Sequence, residues 1–191
     1  MWVVEVFYIA ASIYISYTPP NKLGYWLGMV VLAYFGVVVL IDLEYRLIMH
    51  PVSIVGAVMG LVVGFLRVGW IRALVGGVVG FGIMWLLYLF GVLIIKVVNR
   101  RRGQSVNDVA LGFGDVNLSG VLGLMLGWPV VVVGLVVAVL IGGLVSLIYI
   151  LIMVITRKYH AFAALPYGPF LIIGAVLLIY FPDLVKALVG G

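Results

Sequence analysis

Cysteine is absent, acidic side chains number only six, and charged residues of both signs make up 9% of the 191 positions. The missing cysteines exclude disulfides, thiolate zinc sites and a cysteine nucleophile, so any catalysis must use oxygen or nitrogen groups. So little charge cannot clothe a water-facing surface, and no polar stretch is long enough to form a separate soluble domain. The N-terminal run MWVVEVFYIAASIYISY lacks both a basic leading segment and a small-residue cleavage site. It reads as a retained first span rather than a removable signal.

What is present is apolar. Hydrophobic residues make up 66% of the chain, and the mean hydropathy is +1.38. These values describe an integral membrane protein of one domain, residues 1–191. A helix rises about 1.5 Å per residue and needs roughly 20 apolar residues to cross the hydrocarbon layer. The pattern predicts an all-α, polytopic transmembrane helix bundle of about seven spans, within a range of six to eight: 2–17, 23–41, 51–66, 73–98, 109–127, 128–155 and 167–181. The breaks fall where Pro, Gly, Asn or charge interrupts the apolar pattern, at 18–22, 42–50, 67–72, 99–108, 127–129 and 156–166.

Seven spans place segments 42–50, 99–108 and 156–166 on one side, with Arg46, Arg100, Arg101, Arg102, Arg157 and Lys158. The other side holds Lys22, Arg67, Arg72 and Lys186. The positive-inside rule assigns the richer side and the N-terminus to the cytoplasm. The run NRRRG is then a membrane anchor, and the net charge of +5 needs no nucleic-acid partner. Glycines four residues apart, at Gly56, Gly60 and Gly64, at Gly76 and Gly80, and at Gly123 and Gly127, predict smooth helix faces for close packing.

Two of the six acids need a reason for their place. From Val116 to Leu126 there are eleven residues, about 16 Å, too few to cross. Starting the fifth span near Val109 repairs its length but draws Asp115 below the headgroups, where an ionised carboxylate is costly. Asp42 ends the apolar run LGYWLGMVVLAYFGVVVLI on the same side. Two carboxylates brought close share a proton, the electronic requirement of aspartic-protease chemistry. Gly112 and Gly114 would let an extended substrate backbone approach Asp115 and permit unusual backbone angles. Two alternatives stay open at this point: each acid could cap a helix, with Asp42 in a solvated turn, or both could bind protons or cations in a transporter.

Three ordered segments carry a family likeness. IDLEYRLIMHP, with Asp42, Arg46, Ile48, Met49 and His50; GFGDVNL, with Gly112, Gly114 and Asp115; and LPYGPFLIIGA together resemble the type IV prepilin peptidases, the GxGD membrane aspartyl proteases. Departures are Met49 and His50 where the family often has proline and asparagine, and Asn117 where it often has lysine. The resemblance implies an endopeptidase with Asp42 and Asp115 as its catalytic pair. It would remove short basic leaders from prepilin or pseudopilin-like proteins, after a glycine and before an apolar helix. The site would face the cytoplasm at the cell (inner) membrane. No metal, nucleotide or redox cofactor is implied, and lacking the cysteine-rich segment of bifunctional members, the chain resembles the peptidase alone.

Among the other polar residues, Glu44 and Asp108 read as solvated loop acids, and Arg46 as a lipid-phosphate contact. His50, before Pro51, suits the first turn of a helix, and His160 reads as interfacial. Neither histidine has the i, i+4 partner of a helical zinc site. Tyr167, Gly168 and Pro169 stand at the start of the last span, as a loop-to-helix junction or as candidate substrate-binding residues.

Overall fold

The computed structural model of the chain describes residues 2–20, 22–45, 49–102, 112–155, 166–181 and 183. The described residues form seven α-helices and no strand: α1 (Trp2–Tyr17), α2 (Gly24–Tyr45), α3 (His50–Val68), α4 (Trp70–Arg102), α5 (Phe113–Leu126), α6 (Val130–Ile155) and α7 (Gly168–Tyr180). The all-helical membrane bundle expected from hydropathy is therefore present. Four helices, α2, α3, α4 and α6, are long and apolar enough to cross a bilayer. The others have 16, 14 and 13 residues in α1, α5 and α7.

Four boundaries differ from the sequence reading, one of them the end of α4, which runs past 98 to Arg102. α2 does not break at Asp42 but runs on to Tyr45, because a helix bonds its own backbone and a charged side chain does not interrupt that ladder. For the same reason Arg67 and Arg72 lie within helices, and the turn between α3 and α4 is Gly69, whose φ of 87° lies in the left-handed region that favours glycine. The fifth helix is shorter than a span: its 14 residues rise about 21 Å, and of its expected start, 109–111 lie outside the described residues.

A short α5 is tolerated because it is packed in protein rather than lipid. Val116, Leu118, Ser119, Val121, Leu122, Met125 and Leu126 are all buried, and α3, α4, α6 and α7 all contact it. The glycine faces make this possible. The backbones of Gly76 and Gly123 touch so closely that a Cβ on either would collide with the carbonyl oxygen of the other. A Cβ on Gly80 would lie 2.5 Å from the Ser119 carbonyl oxygen, and one on Gly60 3.1 Å from that of Val121. Without hydrophobic drive between helices in lipid, such backbone proximity supplies the dispersion contacts that hold a membrane bundle together.

The far end of the bundle is fixed by polar contacts to helix ends. Lys22 Nζ donates to the Arg67 carbonyl oxygen at 3.0 Å, and Arg67 Nη1 donates to that of Met125, in the last turn of α5, at 3.0 Å. The Tyr180 hydroxyl, in the last turn of α7, donates to the Gly28 carbonyl oxygen at 2.6 Å. The opposite end gathers the C-terminus of α2 and the N-termini of α5 and α7.

At that opposite end α4 and α6 overshoot their neighbours. Phe113, the first residue of α5, packs against Tyr88 with ring centroids 5.9 Å apart. Beyond Tyr88, α4 continues to Arg102, roughly 21 Å further along its axis. Tyr167 and Phe170 abut Gly142, beyond which α6 runs on to Ile155, about 20 Å further. The start of α5 and of α7 is thus recessed below the ends of two long apolar helices.

Candidate active site

Both acids singled out in the sequence lie in this recess. Asp42 occupies the last turn of α2 and is 4% exposed; Asp115 stands in the first turn of α5 and is 8% exposed. Each carboxylate is in the other's electrostatic field. Neither stands in the solvated turn that the capping alternative proposed for Asp42.

Each acid is held by a helix N-terminus, where the first N–H groups lack intrahelical partners. Asp115 Oδ2 accepts the Gly112 N–H at 3.2 Å, while the Asp115 N–H returns to the Gly112 carbonyl oxygen at 3.1 Å. The first turn of α5 thereby orients its own acid. Asp42 is held from across the bundle: its Oδ2 accepts the Gly168 N–H at 3.0 Å, a buried contact between residues 126 apart in sequence. Capping of helices by both acids is therefore real, and it coexists with their proximity.

Tyr167 and Pro169 complete the start of α7. Tyr167 is the N-cap and offers no side-chain cap, and its carbonyl oxygen accepts the N–H groups of Phe170 at 3.1 Å and Leu171 at 3.3 Å. The Tyr167 ring packs edge-on against Phe170, with centroids 6.2 Å apart. The Tyr167 phenol lies in the electrostatic field of Asp115.

Gly112 and Gly114 are placed differently from each other. Gly112 is exposed, with φ −76° and ψ 148°, ordinary extended values, and a Cβ there would meet nothing closer than 3.5 Å. Gly114 is partly buried in the first turn of α5, and positive φ among the described glycines is confined to Gly24, Gly69 and Gly127. The unusual backbone angles expected at the two glycines are absent.

The remaining polar candidates lie elsewhere. Glu44 is exposed, whereas Arg46, Asp108 and His160 lie outside the described residues. His50 opens α3 with Pro51 behind it, as its sequence suggested, and it lines a cavity of about 500 Å³ between α3, α4 and α5 that also includes Ser53 and Asn117. That cavity is not the recess of the acids. Among the described residues no three His, Asp or Glu side chains gather as a metal site would require. One residue escaped the sequence reading: Ser119, fully buried, whose Oγ donates to the Asp115 carbonyl oxygen at 2.8 Å. Its only signal was its position four residues after Asp115, one helical turn on.

Comparison with known proteins follows the same residues. The model of the type IV leader peptidase family matches residues 26–147, a range that includes both acids and stops short of Tyr167. A prepilin leader peptidase/N-methyltransferase of Pseudomonas putida is 29% identical over 151 residues, 78% of this chain and 47% of the relative. One of Aeromonas hydrophila is 27% identical over 128 residues, 67% of this chain and 38% of the relative. The chain spans less than half the length of these curated relatives. No solved structure matches it significantly.

Proposed function

Because this chain belongs to the type IV leader peptidase family, we propose that it is a membrane-embedded aspartyl endopeptidase with Asp42 and Asp115 as its catalytic pair. Its substrates are prepilin-like proteins, which lose a short basic leader ahead of an apolar helix. The observation that carries the reading is the convergence of two buried carboxylates from α2 and α5 in one recess, within each other's field.

Chemically, such a pair works with one proton between its two members. The ionised carboxylate takes a proton from a water held between the acids as the water oxygen attacks the scissile carbonyl carbon. The protonated partner donates a hydrogen bond to the carbonyl oxygen as negative charge develops there. Collapse of the tetrahedral intermediate breaks the C–N bond, with a proton passing to the leaving nitrogen. Among the described residues, Oδ2 of each acid is already engaged by a backbone N–H, which leaves Oδ1 of each for the water and the substrate.

The remaining parts have supporting roles. Gly112 and Gly114 keep the approach to Asp115 open to an extended backbone, and Tyr167, Gly168 and Pro169 border the substrate. The acid end of the bundle is assigned to the cytoplasmic face of the cell membrane, because the basic segments 99–108, with Arg100, Arg101 and Arg102, and 156–166, with Arg157 and Lys158, follow or precede helices at that end. A basic leader reaches the acids from that side while the apolar helix behind it stays in lipid. The proposal covers the peptidase step alone.

The experiment is cleavage of a prepilin-like substrate with an intact leader by the purified chain in lipid vesicles. Wild type is expected to cleave, and Asp42→Asn and Asp115→Asn each to be inactive. Full cleavage by either variant would remove that residue from the pair. Proton or cation uptake abolished by the same substitutions, in a chain that never cleaves, would instead establish the transporter reading.

A further inference from the structure

The start of α7 presents one backbone donor to the recess, and its chemistry is unusually restricted. Pro169, the second residue of the helix, has no N–H, and those of Phe170 and Leu171 are taken by the Tyr167 carbonyl oxygen. Only the Gly168 N–H remains, and it points at Asp42 Oδ2. Asp42 thus fills the place of the side-chain cap that Tyr167 does not provide.

Residue 168 is glycine for a reason of space. Its φ lies outside the left-handed region, so the backbone conformation is open to any residue. A Cβ at this position, however, would stand 2.5 Å from Asp42 Oδ2, 3.1 Å from its Cγ and 3.5 Å from its Cβ. The first of these is closer than Cβ atoms approach any neighbour, so a side chain at 168 would displace the carboxylate from the position in which it accepts the Gly168 N–H. Elsewhere along α7 glycine serves helix packing, as at Gly174, whose Cβ would collide with the Gly134 carbonyl oxygen at 2.6 Å. At 168 the atoms that need the space belong to the acid itself.

We propose that Gly168 is a positioning residue for Asp42: its N–H fixes Oδ2 and its missing side chain leaves room for the carboxylate, so that Oδ1 is presented to the Asp115 side of the recess. This inference rests on the aspartyl-peptidase reading above and changes the part given to Gly168 there, from bordering substrate to orienting an acid. It also explains how α7, outside the segment matched by the family model, contributes to catalysis through a main-chain atom.

The test compares wild type, Gly168→Ala and a variant with an ester at the Tyr167–Gly168 linkage, which exchanges the N–H for oxygen without adding bulk. Gly143→Ala, at an exposed glycine with open space around it, is the control for glycine replacement in an apolar helix. Displacement of a catalytic group by about 1 Å costs on the order of 100-fold, so Gly168→Ala is expected to lose about that factor in kcat with KM little changed. The ester variant is expected to lose kcat in the same sense, which decides the matter where the alanine variant does not fold. The infrared carboxyl band assigned to Asp42 by its disappearance in Asp42→Asn should shift in both Gly168 variants and not in the control. Unchanged kcat and an unmoved band, in a protein whose Asp42→Asn and Asp115→Asn forms are inactive, overturn the inference alone. A raised KM with kcat preserved also overturns it, in favour of substrate contact, whereas cleavage surviving in Asp42→Asn defeats the peptidase reading itself.

Discussion

Gly76 of α4 and Gly123 of α5 meet backbone to backbone, each occupying the space where the other's Cβ would be. The contact decides how close the long α4 lies to the short helix bearing Asp115. Gly123→Val forces the helices apart and is expected to cost about 1–3 kcal/mol, the range for overpacking a filled core. Thermal unfolding of the purified chain in detergent measures it. Activity should fall in parallel, since α5 cannot shift without moving Asp115.

Replacement of either acid by asparagine should separate activity from folding. An asparagine keeps an acceptor for the Gly168 or Gly112 N–H and removes a charge from a buried position, so the melting temperature should be maintained or raised. Cleavage should drop by about 100- to 10,000-fold, the usual contribution of a positioned general acid or base. A variant that melts early and is inactive for that reason would show up in the same melting curves.

Tyr167→Phe removes a phenol from the vicinity of Asp115 without changing the ring that packs on Phe170. An unperturbed phenol titrates near about 10, above the range in which the carboxylates act. The substitution should therefore lower the rate without moving either limb of a pH–rate profile measured between about pH 5 and 9. A displaced limb would mean that the phenol helps to set the titration of the acid pair.

Arg67 should affect stability and leave chemistry alone. Its guanidinium donates to the Met125 carbonyl oxygen at the end of α5 opposite the acids. Arg67→Met keeps much of the apolar stem and is expected to cost about 1.5–3 kcal/mol, the order of one charged hydrogen bond. Unfolding should register the loss while kcat and KM stay near wild type.

Much of this architecture was legible in the chain. Hydropathy located all seven helices, because in lipid a backbone must bond itself and only helical runs of apolar residues do so. The spacing of Gly56, Gly60, Gly64, Gly76, Gly80 and Gly123 foretold close faces, and Asp115 stood out because a carboxylate amid apolar residues and glycines is expensive. Boundaries were less legible: charge at Asp42, Arg67 and Arg72 was taken to end helices, though only a residue such as Gly69 alters the backbone path.

Local sequence determines which residues are helical, apolar or charged, since propensity and transfer free energy act residue by residue. It does not determine that α2 and α7 bring Asp42 against Gly168, because a contact between residues 126 apart depends on how every intervening helix packs. Nor could spacing reveal that Asp42 and Asp115 each receive a main-chain N–H, or that α4 and α6 rise above the recess. Those relationships exist only once α5 is buried among its neighbours, where its short length and the glycine contacts fix the depth of the acid it carries.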